Sequence, residues 1–489
     1  MGTPIPSNEA VFSLDEILAK TGASAQAAAP SSSLTVRGLS TDTRRLHEGQ
    51  AFVALAGETF DGHDHLAAAA GAGAVLALVE RPVTAPPGLP ILEVSSTVKA
   101  LAALAKTHLE RWRRADPARR VVAITGSAGK TTTRGAVSAL LRHLLSPDAI
   151  HETQGNLNNL IGVPMTVLGL GEAHRIAVLE LATNQPGEIP QLASLVRPDV
   201  GLVTLIAQAH AEGLGSIEAI AQEKNALYDA LSGGIAIGNA DDPRVMAGMN
   251  RAVAAERIAY GQSDQADYRI VDRRLQSEGR SAVTIARPDG SLLVAELGLI
   301  GHAGALACAA ALATAERLTG MLVDGAAVAA ALGAIDGAGR LHPQATPSGA
   351  VVIDDSYNAN PASCRSSIEA ASELAASLGR RLVLVLGEMR ELGEASAKAH
   401  DEVGAFAAER GASLVIAVAG DARRIAIQAA VGGVEKTCFV DDAVHGAEQT
   451  LAAVEPGDIV LVKGSRAVGT ERVVAALVAG GGPDEGRTP

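Results

Sequence analysis

Aromatic side chains are scarce in this 489-residue chain: one Trp, four Tyr and five Phe, 2% in all. Any core must therefore be packed with Ala, Val, Leu and Ile, which the 47% hydrophobic content supplies, and the 52 glycines suit close helix–sheet approach. Cysteine is also rare. Cys308, Cys364 and Cys438 lie far apart with no CxxC pair, which argues against a disulfide framework or a structural zinc site and fits a reducing compartment. Positive charge is in deficit, with 41 Lys+Arg against 54 Asp+Glu and a net charge of −13. That balance argues against non-specific binding of nucleic acid or anionic membranes. No apolar run reaches the ~18 residues of a membrane span. The opening MGTPIPSNEAVFSLDEIL lacks the basic and apolar regions of a signal peptide. The expectation is a soluble cytoplasmic protein with no nucleic-acid partner and no membrane insertion, working as a monomer.

The length suggests about three domains. A low-complexity patch, GASAQAAAPSSS, follows one short helix; strand, turn and strand then alternate with a helix up to the APPGLP breakers at 85–90. We read 1–95 as a small α/β domain. TVKALAALAKTHLERWRR is an amphipathic helix, after which the strands VVAIT, IAVLEL, VGLVTLI and GIAIGN alternate with helical stretches. That alternation signals a parallel sheet flanked by helices, expected over 96–338. A third α/β unit, Rossmann-like, is expected over 339–480 with strands AVVIDDS, RLVLVLGE, SLVIAVAG and DIVLVKGS, and 481–489 as a disordered tail.

The stretch VVAITGSAGKTTTR, 121–134, carries the strongest chemistry. A strand that feeds a glycine turn and then a helix points backbone N–H groups and the helix dipole at an anion. Lys130 would reach the β/γ-phosphates of ATP, and the Thr131 hydroxyl would coordinate Mg²⁺. Gly126, Ser127, Ala128, Gly129 and Thr132 complete the loop, although Ile124 stands where the longer eight-residue pattern has glycine. The G-x-G pairs elsewhere lack a third glycine, so dinucleotide binding has little support.

Glu180 and His210 follow successive strands, where parallel sheets gather their functional groups, and a carboxylate with an imidazole can hold Mg²⁺ beside phosphate oxygens. Lys224 falls on the apolar stripe formed by Ile217, Ile220, Ala221, Tyr228 and Leu231. It is either a snorkelling lysine or one turned toward the site, where a carbamylated side chain would supply a carboxylate near the metal. Asn239 and Asp241 sit in a turn suited either to a nucleotide's ribose or base or to a plain Asx turn. Asp355, Tyr357, Asn358 and Asn360 crowd polar groups after an apolar strand.

Taken in order, TQGNLNNLIGVPMTVL, NQPGEI, AHAEGLGSIEAIAQEK, DDSYNANP and VKGSRAVGTERVV resemble the Mur ligases over residues 36 to 475. The DDSYNANP stretch sets the chain apart from sister ligases, which add single amino acids and carry a YAHTP-like stretch there. The resemblance implies three α/β domains: a uridine-nucleotide domain, a central ATP-binding domain, and a C-terminal domain that closes over ATP and binds the incoming dipeptide. It implies an ATP-dependent amide ligase joining D-alanyl-D-alanine to UDP-MurNAc-tripeptide through an acyl phosphate, in peptidoglycan synthesis. Lys130, Lys224 and His210 would be catalytic; Thr131, Glu180, His210 and carbamylated Lys224 would hold Mg²⁺. Arg340 would approach ATP, Gly155, Asn156, Asn158 and Asn159 the substrate, and Thr41, Asp42, Arg44, Asp61 and His63 the uridine nucleotide.

The sequence departs from the family's usual pattern at Gln185 and Glu388 and on the helix after His302. Another amino-acid-adding ligase of the same fold is the nearest alternative, of the diaminopimelate- or lysine-adding, folylpolyglutamate or cyanophycin type. A GTPase-like switch has no N-K-x-D pattern to read guanine, and a simple kinase would turn over ATP without a dipeptide.

Overall fold

The computed structural model describes residues 3–26, 31–57, 60–208, 211–276, 280–333 and 341–480. The reading of 481–489 as a disordered tail lies outside them. Among the described residues three larger sheets organise the chain, beside a two-stranded pair of Val11–Ser13 and Thr35–Arg37. In the first, Leu39–Ser40, Ala51–Val53, Leu76–Val79 and Ile91–Glu93 run parallel in that spatial order, with Ser24–Ala25 antiparallel at the edge. The strand Ile91–Glu93 lies beyond the APPGLP breakers, so the proline run is a crossing inside this unit and not its end.

The central sheet has the order Ile150–Glu152, Ile176–Glu180, Arg120–Thr125, Val200–Val203, Ile235–Asn239, Glu256–Gly261 and Tyr268–Leu275, all parallel. It continues into Ser281–Ala286 and Leu292–Leu297, which are antiparallel. The expected parallel sheet thus carries an antiparallel extension at one edge. Those last strands alternate buried and exposed residues, as strands with one solvated face do. The inner strands Arg120–Thr125 and Val200–Val203 are buried almost throughout, as helices on both faces require.

The shortage of aromatics is met by alanine. The helix Gly301–Thr319 buries Ala305, Ala307 and an unbroken run from Ala309 to Ala313 against the sheet and the helix Lys130–Leu144. The side chains there are too short to hold the backbones apart.

The third sheet runs His342–Ala345, Val351–Asp355, Ile459–Lys463, Leu382–Gly387, Leu414–Val418, Lys436–Val440, parallel except for the first strand. Its first crossover helix, Pro361–Leu378, is sharply bounded. Asn360 and Ser363 form a reciprocal capping box, Pro361 occupies the first turn, and Gly379 ends the helix at φ 60°. Arg273 of the central sheet bonds Glu373 of this helix at 2.7 Å, fastening the two units together.

Candidate active site

In the central sheet Arg120–Thr125 lies between Ile176–Glu180 and Val200–Val203. The chain leaves it toward Ile150–Glu152 on one side and later crosses from Ile176–Glu180 to Val200–Val203 on the other, and ligands of parallel sheets bind outside the strand ends at such a reversal. The loop 126–129 occupies that position. Gly126 has φ 150° and Gly129 φ 79°, a region that disfavours side chains. A Cβ on Gly126 would stand 2.0 Å from Thr204 Oγ1. The loop is pinned on its inner side: Ser127 N–H donates to Leu205 O at 2.6 Å, and Thr204 Oγ1 donates to Ala128 O at 2.6 Å. Lys130 Nζ folds back to Gly126 O at 2.8 Å.

Glu180 ends its strand 2% exposed. Its carboxylate accepts from Thr131 Oγ1 at 2.7 Å and Asn158 Nδ2 at 2.8 Å, and Arg134 Nε lies 3.6 Å away. Thr131, Glu180 and Asn158 are thus one cluster, although 49 residues of sequence separate the first two. A buried carboxylate beside a hydroxyl at the mouth of a phosphate loop is a hard oxygen donor set, which fits Mg²⁺. His210 and Arg340 lie outside the described residues. Among the described residues no group of three His, Cys, Asp or Glu side chains converges as a metal cage.

Lys224 is 1% exposed, and among the described residues its Nζ has no hydrogen-bond partner. A snorkelling lysine is therefore excluded. Burial, and then the nearby Lys130 cation, hold its pKa well below the usual lysine value. Its neighbour Glu223 caps the helix Glu188–Val196, accepting from Gly187 N at 2.8 Å and Ile189 N at 2.7 Å.

The other wall of the site belongs to the third unit. Asp355 accepts from Lys463 Nζ at 2.5 Å and Ser367 Oγ at 2.6 Å, and Lys463 also donates to Asn358 O at 3.0 Å. Asn360 Nδ2 donates to Ser127 O of the phosphate loop at 3.3 Å. Tyr357 lies under the Arg466 guanidinium, 5.8 Å from ring centroid to Cζ. The two walls enclose a cavity of about 790 Å³, lined by the loop from Ser127 to Thr132, by Asn156, Asn158, Asn159 and Glu180, by Asn239 and Asp241, and by Asp355, Tyr357, Asn358 and Asn360. In the Asn239 turn, Asn239 Oδ1 accepts from Asp241 N at 3.0 Å, while Asp241 accepts from Gln262 N and Ser263 N at 2.9 and 2.7 Å.

The family models for the Mur ligase middle domain, the glutamate ligase domain of Mur ligases and the Mur ligase catalytic domain match residues 124–315, 339–466 and 35–109. The UDP-N-acetylmuramoyl-tripeptide–D-alanyl-D-alanine ligase of Escherichia coli is 36% identical over 451 residues, covering 91% of this chain and 94% of that protein. The chain belongs to the Mur ligase family. The Mycobacterium tuberculosis ligase of the same name is 35% identical, with 90% and 91% coverage. Among solved structures, MurF from Acinetobacter baumannii aligns with TM-score 0.83 at 28% identity, covering 98% of this chain and all of that one. MurF from Thermotoga maritima in complex with ADP aligns with TM-score 0.78 at 29% identity, covering 90% and 97%.

In this Mur ligase the residues expected at the uridine nucleotide follow strands of the first sheet, Thr41, Asp42 and Arg44 after Leu39–Ser40, and Asp61 and His63 after Ala51–Val53. Asp42 caps a short turn and holds Arg44 at 2.8 Å. Asp61 bonds His63 Nδ1 at 2.6 Å and Arg81 at 2.7 Å, and His63 Nε2 accepts from Glu80 N at 3.1 Å. Both ring nitrogens of His63 are thus engaged, so it braces Asp61. Thr41 is buried, and among the described residues its hydroxyl has no hydrogen-bond partner. Gly155 and Asn156 meet the N-terminal segment, where Asn156 N–H donates to Thr3 Oγ1 at 3.2 Å. Asn159 accepts from Ile161 N and Gly162 N and so starts the following helix. Sequence reasoning left out Lys463 and Glu223. A lysine closing the apolar run DIVLVK and a second charge beside Lys224 were the available signals.

Proposed function

We propose that this chain is an ATP-dependent amide ligase of peptidoglycan synthesis. It joins D-alanyl-D-alanine to UDP-MurNAc-tripeptide and yields UDP-MurNAc-pentapeptide, ADP and phosphate. The observation that carries this reading is the single cavity shared by the phosphate loop and the 355–360 segment, bridged by Asn360 and Ser127. A phosphorylated carboxylate made at one wall can meet an amine held at the other.

The terminal carboxylate of the tripeptide attacks the γ-phosphorus of ATP and ADP leaves. The dipeptide amine then attacks the acyl carbon, loses a proton, and the tetrahedral intermediate expels phosphate. A bare carboxylate has no adequate leaving group; the acyl phosphate provides one. Phosphoryl transfer of this kind needs positioning and charge neutralisation above all. Loop N–H groups and Lys130 hold the phosphates, and Asn158 and Arg134 orient Glu180. Thr131 and Glu180, with His210, would hold Mg²⁺, which would neutralise phosphate charge when bound.

Lys224 adds to that charge arrangement. Its depressed pKa favours the neutral amine, which can add to CO₂ with loss of one proton to give a carbamate. The orphaned Nζ thereby becomes an anionic oxygen ligand. Residues 1–95 would bind the uridine nucleotide through Thr41, Asp42, Arg44 and the Asp61–His63 pair. Residues 96–338 would bind ATP, with Asn239 and Asp241 toward the nucleoside. Residues 339–480 would close over ATP with Arg340 and receive the dipeptide. The widely spaced, unpaired cysteines agree with a cytoplasmic enzyme, and we read it as a monomer. Among the described residues no helix is long and apolar enough to cross a membrane.

Substrate labelled with ¹⁸O in the terminal carboxylate tests the reaction path. One ¹⁸O should appear in the released phosphate; unlabelled phosphate would contradict the acyl phosphate.

A further inference from the structure

Among the described residues, four cationic side chains of the third unit line the cavity: Arg365, Arg410, Lys463 and Arg466. Three are committed to carboxylates. Lys463 lies 2.5 Å from Asp355, Arg410 2.9 Å from Glu369, and Arg466 3.2 Å from Glu471. Arg365 has no carboxylate within ion-pair distance among the described residues. Its guanidinium lies over the Phe406 ring, 4.1 Å from the centroid, and Arg410 lies 4.7 Å from the same ring. Phe406 is itself 4% exposed and fixed in the core. Stacking occupies the face of the Arg365 guanidinium and leaves its N–H edge for a planar acceptor such as a carboxylate.

We propose that Arg365 binds the C-terminal carboxylate of the incoming dipeptide and thereby selects a dipeptide over a single amino acid. The inference rests on the ligase reading above. Its geometric support is a length. Asn360, which touches the phosphate loop, caps the helix that carries Arg365. Five helical steps advance about 7.5 Å, and two extended residues span at most about 7 Å. A dipeptide with its amine near Asn360 comes close to that span, whereas a single amino acid covers about half of it. The dipeptide's carboxylate then takes the one cavity-facing guanidinium of the third unit that, among the described residues, no protein carboxylate already holds.

The test compares D-alanyl-D-alanine with D-alanyl-D-alaninamide, whose C-terminus is neutral, in the wild type and in Arg365→Ala and Arg365→Lys. The wild type should prefer the free acid. Arg365→Ala should raise the KM for D-alanyl-D-alanine roughly ten- to a hundredfold, leave the KM for ATP unchanged and erase the preference; Arg365→Lys should recover part of it. An unchanged dipeptide KM and preference in Arg365→Ala, or a wild type indifferent to the amide, overturns the assignment and leaves the ligase reading standing. A wild type that joins neither acceptor to UDP-MurNAc-tripeptide overturns the ligase reading instead.

Discussion

Asn360 reaches across 233 residues of sequence to donate its side-chain amide to the carbonyl of Ser127, at 3.3 Å. The same side chain caps the helix Pro361–Leu378 through Oδ1, which accepts from Ser363 N at 2.9 Å. One residue thus starts a helix in the third unit and touches the phosphate loop of the second. The two roles use different atoms and can be separated.

Asn360→Asp keeps the capping oxygen and removes the donor. It should leave the melting temperature close to wild type, since Asp and Asn cap about equally, while kcat falls by roughly tenfold or more from the lost contact and the carboxylate set against the loop. Asn360→Ala should lose both, with about 1 kcal/mol of stability gone. Thermal melts and steady-state kinetics on the two variants check the split. Equal activity in wild type and Asn360→Asp would remove the contact from the mechanism.

Lys130 should matter for chemistry more than for folding. Lys130→Ala removes a charge that, in the proposed mechanism, would face the transferring phosphate, and should cost roughly 10²–10³ in kcat, with the fold intact by circular dichroism. A loss confined to KM for ATP would mean the lysine binds ground state and transition state alike.

For Lys224, a depressed pKa means the unfolded chain binds a proton that the folded chain lacks. Stability is therefore reduced at neutral pH, and the reduction fades as pH rises toward the ordinary lysine value of 10.5. In CO₂-depleted buffer Lys224→Met should melt at a higher temperature than wild type near neutrality, with the gap narrowing at alkaline pH. The same variant should be inactive. ¹³CO₂ should give wild type a carbamate carbon resonance that Lys224→Met lacks. Full activity in Lys224→Ala would sink the carbamate; partial rescue of that variant by short-chain carboxylic acids would support it.

His151 gives a second pH signature, away from the site. Burial pushes its pKa down to about 4, opposed by the Nε2 contact to Thr166 O at 2.7 Å. The ring is neutral in the fold, and the unfolded chain takes up a proton first. Stability is thus lost as pH falls from about 6.5 to about 4, by up to about 3 kcal/mol for the full shift. His151→Gln keeps an N–H for Thr166 O and does not titrate. Denaturant titrations should find its stability flatter than wild type over that window; parallel curves would assign the acid sensitivity elsewhere.

Much of this was legible in the sequence where a local pattern carries the signal. The strand before Gly126, the glycine pair and the Lys-Thr that follow are contiguous, so the loop could be read directly. Lys224 betrayed itself by standing on a helical apolar stripe, and its buried Nζ is the structural counterpart. Non-local pairings were out of reach. Asp355 meets Lys463 only because two strands 108 residues apart pair in that register. The antiparallel hairpins after Tyr268 escaped notice because their alternation is short and half-solvated. Arg365 looks like any exposed helical arginine until Phe406 is placed beneath it.

The most direct measurement is phosphate release from Mg·ATP by the purified protein with UDP-MurNAc-tripeptide, with and without D-alanyl-D-alanine. We expect release that requires both substrates, accompanied by a pentapeptide product of the right mass. Release that ignores the dipeptide, with no such product, would contradict a cavity built to bring an acyl phosphate and an amine together.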